Sequence, residues 1–113
     1  MKEEISILLS SVKQHKIKFT DVIAFIESNY SHTPAAFKNG EVYNEASQNQ
    51  GSAKVFSFAS LHGLSEEDTL HLFAEHYQSV LDTPEGTGHQ NIRQFMTNGW
   101  AGIKFEGEVL SAK

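Results

Sequence analysis

Between two blocks of helical periodicity lies a stretch that no single helix or strand can absorb, Phe37 to Gly63, FKNGEVYNEASQNQGSAKVFSFASLHG. It opens with Asn39-Gly40, a pair that tolerates the positive φ of a tight hairpin turn, flanked by Phe37 on one side and by Val42 and Tyr43 on the other. Its middle holds the densest run of uncharged polar side chains in the chain: Asn44, Ser47, Gln48, Asn49, Gln50 and Ser52. These groups donate and accept hydrogen bonds, yet none is a ready nucleophile or a base that titrates near neutral pH. They suit a shaped loop or a binding surface better than a catalytic one. From Gly51 or Ser52 onward the spacing is helical, with Val55, Phe58, Ala59 and His62 on one face, Phe56 beside it and Gly63 as the stop. A buried strand over VFSF is the competing reading, and the Gly stop directly after SLH favours the helix.

A hairpin this small does not stand alone, so the flanking segments must cover it. Ile5, Leu8, Leu9 and Val12 predict an amphipathic helix from about Lys2 to Gln14. Thr20 is placed to cap a second helix with Val22, Phe25, Ile26 and Tyr30 on one face, and Ile17 and Phe19 just before the cap. These two helices are expected to form an antiparallel hairpin, ended by Pro34. Ser65 with Asp68 imitates a capping box and opens one long helix striped by Leu70, Phe73, Tyr77, Val80 and Leu81, ending before Pro84. After the loop Glu85-Gly86-Thr87-Gly88, HQNIRQFMTNGW predicts a last helix with Ile92, Phe95 and Met96 inward, Gly99 as its stop and Trp100 as a packing anchor. Alternation from Gly102 to Glu106 offers a third strand, and the tail from Glu108 is expected to fray. The fold class is α+β: a predominantly helical single domain, 1–113, with a small antiparallel β element made of a hairpin near residues 36–44 and a strand near 102–106.

Composition narrows the function. A chain of 113 residues supports one core. Nine Lys or Arg against fourteen Asp or Glu give a net charge of -5, and Arg93 is the one arginine, so a nucleic-acid partner is disfavoured. Without Cys there are no disulfides and no thiolate chemistry. Glu3 and Glu4 spoil a signal peptide, no apolar run is long enough for membrane insertion, and a cytoplasmic location is expected. The glycine spacing matches neither the dinucleotide nor the P-loop pattern, so no cofactor is expected.

Among the six histidines, His89 stands out because Gln90, Asn91 and Arg93 follow it closely. If that loop folds over the loop from Asn44 to Ser52, then Asn44, Gln48, Asn49, Gln50, His89, Gln90, Asn91 and Arg93 line a polar cleft for a small anionic or amide-bearing ligand. The plainer reading is that His89 or Asn91 caps the last helix and Arg93 pairs at the surface. A catalytic reading is a small hydrolase or lyase using His89 or His62 with Asn44, Asn49 and Arg93. No metal is expected; the alternative is a cation held by Asp68, His71 and Glu75 on one helix face. Six acidic residues and no Lys or Arg between Ser65 and Glu85 predict a face of negative potential, which can orient a basic partner or simply maintain solubility.

The strings FTDVIAFIESNY, TPAAFKNGEVYNEASQNQGSAKVFSFASLHGLSEEDTLHLFAEHY and VLDTPEGTGHQNIRQFMTNGW resemble the HopJ type III effector protein family, from about Phe19 to Phe105. Ala53 stands where members often carry Cys, which argues against a thiol role there. The resemblance implies a small bacterial protein whose family name derives from secreted effectors of plant pathogens; it implies no established activity, catalytic set or host target, and secretion by a type III system rests on it alone. Three functional readings follow: a non-enzymatic interaction or binding domain whose partner is an unknown protein or a small polar ligand, the small hydrolase or lyase, and a structural or dimerising domain. The sequence leaves the oligomeric state open.

Overall fold

In the computed structural model, which describes residues 1–113, the chain runs α1 (Lys2–Lys13), α2 (Phe19–Asn29), β1 (Tyr30–His32), β2 (Phe37–Asn39), β3 (Val42–Asn44), α3 (Gln50–Leu61), α4 (Glu66–His71), α5 (Glu75–Asp82), α6 (Gln90–Asn98), a 3₁₀ turn (Gly99–Gly102), β4 (Ile103–Phe105) and β5 (Leu110–Ala112). The other elements gather around α3. Ala53, Val55, Phe56, Phe58 and Ala59 are fully buried and Ser57 nearly so, leaving this helix no continuous wet face over that span. A helix apolar on all sides belongs in a core. It stops as read from the sequence: Gly63 takes φ +62°, Leu64 N–H reaches the Ala59 carbonyl at 2.9 Å and Gly63 N–H the Ser60 carbonyl at 3.2 Å.

The flanking helices bury the stripes expected of them, Ile5, Leu8 and Val12 on α1 and Val22 and Ile26 on α2. Their pairing differs from the expected hairpin. Here α1 packs on α4 and α2 on α3. The joint explains it, because His15 enters the left-handed region and Lys16 N–H bonds back to the Ser11 carbonyl at 2.9 Å, redirecting the chain. An ion pair from Lys13 to Asp68, 2.7 Å, then ties the end of α1 to α4. Nor does Thr20 cap α2; the cap position is Lys18, two residues earlier, so the helix starts at Phe19, with Lys18 N–H donating to the Asp21 carboxylate at 2.9 Å.

The hairpin forms with its turn shifted by one residue. Phe37 pairs with Asn44 and Asn39 with Val42, so the two-residue loop is Gly40-Glu41, and Asn39 belongs to the strand. Gly40 carries the positive φ, +59°, at the first central position, as a type II′ turn requires. This register turns Phe37 and Asn39 inward and leaves Lys38 outside. The third strand is the expected one: β4 pairs along β2, Phe105 opposite Phe37 and Ile103 opposite Asn39. Phe37 packs on Phe105 and on Phe56 of α3, with ring centroids 5.7 and 6.3 Å apart. The tail does not fray. Val109 and Leu110 are buried, and β5 pairs antiparallel with β1 in a second, two-stranded sheet.

The long helix predicted from Ser65 is two helices. Its cap holds as expected, with Asp68 N–H on the Ser65 hydroxyl at 3.0 Å. It breaks after His71, and the break lets Leu70, Leu72 and Phe73, which do not lie on one face of a continuous helix, all be buried. The break is a tight turn in which Ala74 sits at φ +52°, ψ -123° and His76 N–H closes on the Phe73 carbonyl at 3.0 Å. Trp100 is the anchor expected of it, donating its indole N–H to the Leu64 carbonyl at 3.2 Å and packing on Phe95 and Phe56. No helix is long and apolar enough to cross a membrane.

Gly99 joins α6 to the sheet at φ +58°, ψ -152°, and a Cβ there would overlap the Glu66 carboxylate that accepts Trp100 N–H at 3.1 Å. Gly99→Ala is therefore expected to lower unfolding stability by about 2 kcal/mol or more. Urea denaturation checks this, and an unchanged midpoint would contradict it.

Candidate functional site

Two strands and one helix each contribute an asparagine to a buried amide network. The inward faces of β2 and β3 supply Asn39 and Asn44, and the first turn of α6 supplies Asn91; none is more than 6% exposed. Asn39 Nδ2 donates to the Asn91 carbonyl at 2.8 Å and to Asn91 Oδ1 at 3.0 Å. Asn44 Nδ2 donates to Asn91 Oδ1 at 3.1 Å, and Asn91 Nδ2 returns a bond to Asn44 Oδ1 at 2.9 Å. Asn49, next to the start of α3, adds a 2.7 Å bond from its Nδ2 to the same Asn44 oxygen. Only a side chain that both donates and accepts can close such a reciprocal pair, which is why amides occupy these positions. One buried polar atom, Asn39 Oδ1, has no partner.

The network brings the two polar loops together. Between them opens a cleft of about 370 Å³. Asn49, Gly51 and Ser52 line it from the start of α3, and His89, Gln90 and Asn91 from the start of α6; Phe19, Phe73 and His76 close another side, with Val42 and Ile92. Each of the two helices is preceded by a left-handed residue, Asn49 at φ 51°, ψ 38° and His89 at φ 55°, ψ 51°, and neither is capped by a side chain. A left-handed residue followed by a helical one turns successive N–H groups toward a common point, and the helix dipole adds positive potential there. The His76 and His89 rings lie 5.0 Å apart, centroid to centroid. Desolvation at the cleft wall, followed by the neighbouring His76 and the Arg93 charge, holds His89 below the ordinary histidine value of 6.5.

Not every residue singled out in the sequence reaches this cleft. Asn49, His89, Gln90 and Asn91 line it, and Asn44 supports it from beneath. Gln48 accepts Glu45 N–H in its own turn, and Gln50 ties α3 to the segment before β2 through the Ala35 backbone and His32. Arg93 points elsewhere: its guanidinium holds the α5–α6 loop through the Gly88 carbonyl at 2.6 Å and the Thr83 carbonyl at 2.9 Å. His62 contacts the Tyr30 hydroxyl and the Phe58 ring, and burial, with a smaller contribution from the N-terminal charge, lowers its pKa. Asp68, His71 and Glu75 do not come together. The helix break separates His71 from Glu75; Asp68 pairs with Lys13, and Glu75 accepts Phe19 N–H at 2.8 Å. With Glu66 on Trp100 N–H and Asp82 on the Gln78 amide, four of the six carboxylates of the acidic segment are already engaged within the fold.

The sequence reading missed Phe19, Phe73 and His76 as cleft residues. Phe19 and Phe73 carry only an ordinary core signal. His76 enters through the turn at Ala74, which no local pattern announces.

The HopJ type III effector protein family matches residues 5–110, and the chain belongs to it. Among solved structures, the crystal structure of the unknown-function protein VPA0580 is similar, with a TM-score of 0.91 and 46% sequence identity over 100% of this chain and 93% of that one. No curated protein matches the sequence.

Two outcomes are expected from this geometry. Asn91→Leu keeps the approximate size but removes the Oδ1 that accepts one amide hydrogen each from Asn39 and Asn44, leaving Asn39 only the backbone carbonyl of residue 91, and is expected to cost about 2 kcal/mol of unfolding free energy by denaturant titration. Because His62 and His89 are depressed below 6.5, the unfolded chain takes up their protons first; stability is full above that pH and lost as the pH falls through the folded-state values. Thermal melts across this range should show the loss, and His62→Gln should remove part of it. Superimposable profiles for the two proteins would contradict the assignment to His62.

Proposed function

We propose that this member of the HopJ family is a binding domain whose cleft, between the starts of α3 and α6, receives a small anionic ligand. The observation that carries the reading is the character of the cleft wall. In a chain with fourteen acidic residues, none of the eleven residues lining the cleft is Asp or Glu, while two histidines, several amide groups and two uncapped helix starts face it. Such a wall stabilises negative charge through backbone N–H groups without needing Lys or Arg. Its concave, partly apolar form is that of a small-molecule site. A cation between His76 and His89 is disfavoured by the same helix dipoles, which lower the affinity for added positive charge.

The acid–base set of a hydrolase or lyase finds less support. His62 and Arg93 lie in other surroundings, and the Asn44 and Asn91 side chains are committed to each other. A protein partner for the acidic face, which the effector name of the family suggests, has fewer free carboxylates to use than the sequence promised.

Backbone amide NMR titration with acetate, inorganic phosphate and neutral acetamide tests the reading. At about pH 6 the anions are expected to shift the Gly51, Ser52 and Gln90 amides saturably and acetamide to leave them unmoved. Binding should weaken toward about pH 8, because an anion favours the protonated form of His89. Equal shifts with acetamide, or none at these amides with either anion, would sink the proposal.

A further inference from the structure

One side of the cleft is a ladder of four rings. Phe73, only 2% exposed, is its inner rung. Phe19 lies on Phe73 with centroids 5.8 Å and planes 7° apart, His76 meets Phe19 edge-on at 4.9 Å, and His89 follows His76 at 5.0 Å and 35°. Burial of apolar area does not explain the outer rungs. Phe19 and His76 are half-buried and His89 is exposed, so all three keep ring surface toward solvent.

Specific polar and backbone features hold them there. The Glu75 carboxylate accepts Phe19 N–H and so secures the start of α2, and the strained turn at Ala74 turns His76 toward the cleft. The Phe19 ring also comes close to Gly51: a Cβ there would sit in van der Waals contact with it, at 3.5 Å. The Phe19 ring therefore lies against the first turn of α3, beside the N–H groups that the left-handed Asn49 leaves without a side-chain cap. A flat group resting on this ring would place a substituent at those amides.

We infer that the cleft selects a small aromatic acid, a planar ring bearing a carboxylate or phosphate, with the ring against Phe19 and His76 and the anionic group at the starts of α3 and α6. The inference rests on the anion-binding reading and adds the ring to it. The cleft, about 370 Å³, is at the small end of ligand pockets and has room for a ring bearing an anionic group. Aromatic rings attract each other through offset-stacked and edge-on geometry beyond what their area accounts for, so a saturated ring of like size is a fair control.

The experiment compares benzoate, phenyl phosphate, cyclohexanecarboxylate and acetate by the same amide titration on the full chain, with Phe19→Leu alongside. Benzoate is expected to bind about fivefold more tightly than cyclohexanecarboxylate, and Phe19→Leu to abolish that preference while both acids still bind. Phenyl phosphate against benzoate tells which anionic group the helix starts prefer. Equal affinity of benzoate and cyclohexanecarboxylate for the unsubstituted protein overturns the aromatic selection and leaves anion binding standing. If no acid binds, both readings fall. The comparison on the unsubstituted protein decides the matter even if Phe19→Leu does not fold.

Discussion

Two carbonyl oxygens in the dry interior, Asn44 Oδ1 and Asn91 Oδ1, each receive two amide hydrogens, and the positions of Asn49 and Asn91 at the cleft, with the helix starts that carry them, trace back to that exchange. Individually such bonds contribute only about 1 kcal/mol each, but leaving their donors unpaired in the core costs more than that per group. The network therefore acts as a register lock. Sliding β2 against β3 by one residue would turn either Asn39 or Asn44 outward and strand its partners in the network. It also explains why the turn sits at Gly40-Glu41. Asn39 is needed inside, so the glycine alone is left to supply the positive φ.

Backbone strain gathers around the cleft. Four non-glycine residues have positive φ: His15, Asn49, Ala74 and His89. Asn49 and His89 line the cleft, and Ala74 lies between the cleft residues Phe73 and His76. Conformations of this kind persist only when surrounding contacts over-determine them, and they concentrate at sites that do something. Asn49 is fixed by its bond to Asn44, and Ala74 by helices anchored on either side. His15 has a plainer role, closing α1.

Charge is distributed to match. The chain is acidic, yet its carboxylates are absent from the cleft wall, and several spend their charge on backbone N–H groups elsewhere: Asp21 on Lys18, Glu66 on Trp100, Glu75 on Phe19. What is left at the cleft is the partial positive charge of two helix starts, an attraction of fixed direction that needs no mobile cationic side chain. This makes a binding role a more economical account of the cleft than the acid–base groups scattered around the rest of the molecule.

Periodicity and turn chemistry determined most of the local structure: the stripes of α1 and α2, the Ser65 cap, the Gly63 stop, the hairpin with its third strand, and the α+β class. Those signals are legible because each depends on residues a few positions apart. Pairings between distant segments were not: α1 on α4, β5 on β1, and the break at Ala74 that turns His76 into the cleft. A continuous stripe from Leu70 to Leu81 is satisfied by one helix until Leu72 and Phe73 both have to be buried against α3 and its neighbours. The same division runs through the site. Its amides and His89 were visible as a polar concentration, because composition is a local property. Only the tertiary structure separated Asn49, His89, Gln90 and Asn91, which line the cleft, from Gln48, Gln50 and Arg93, which hold loops together, since that choice depends on which distant backbone each side chain meets.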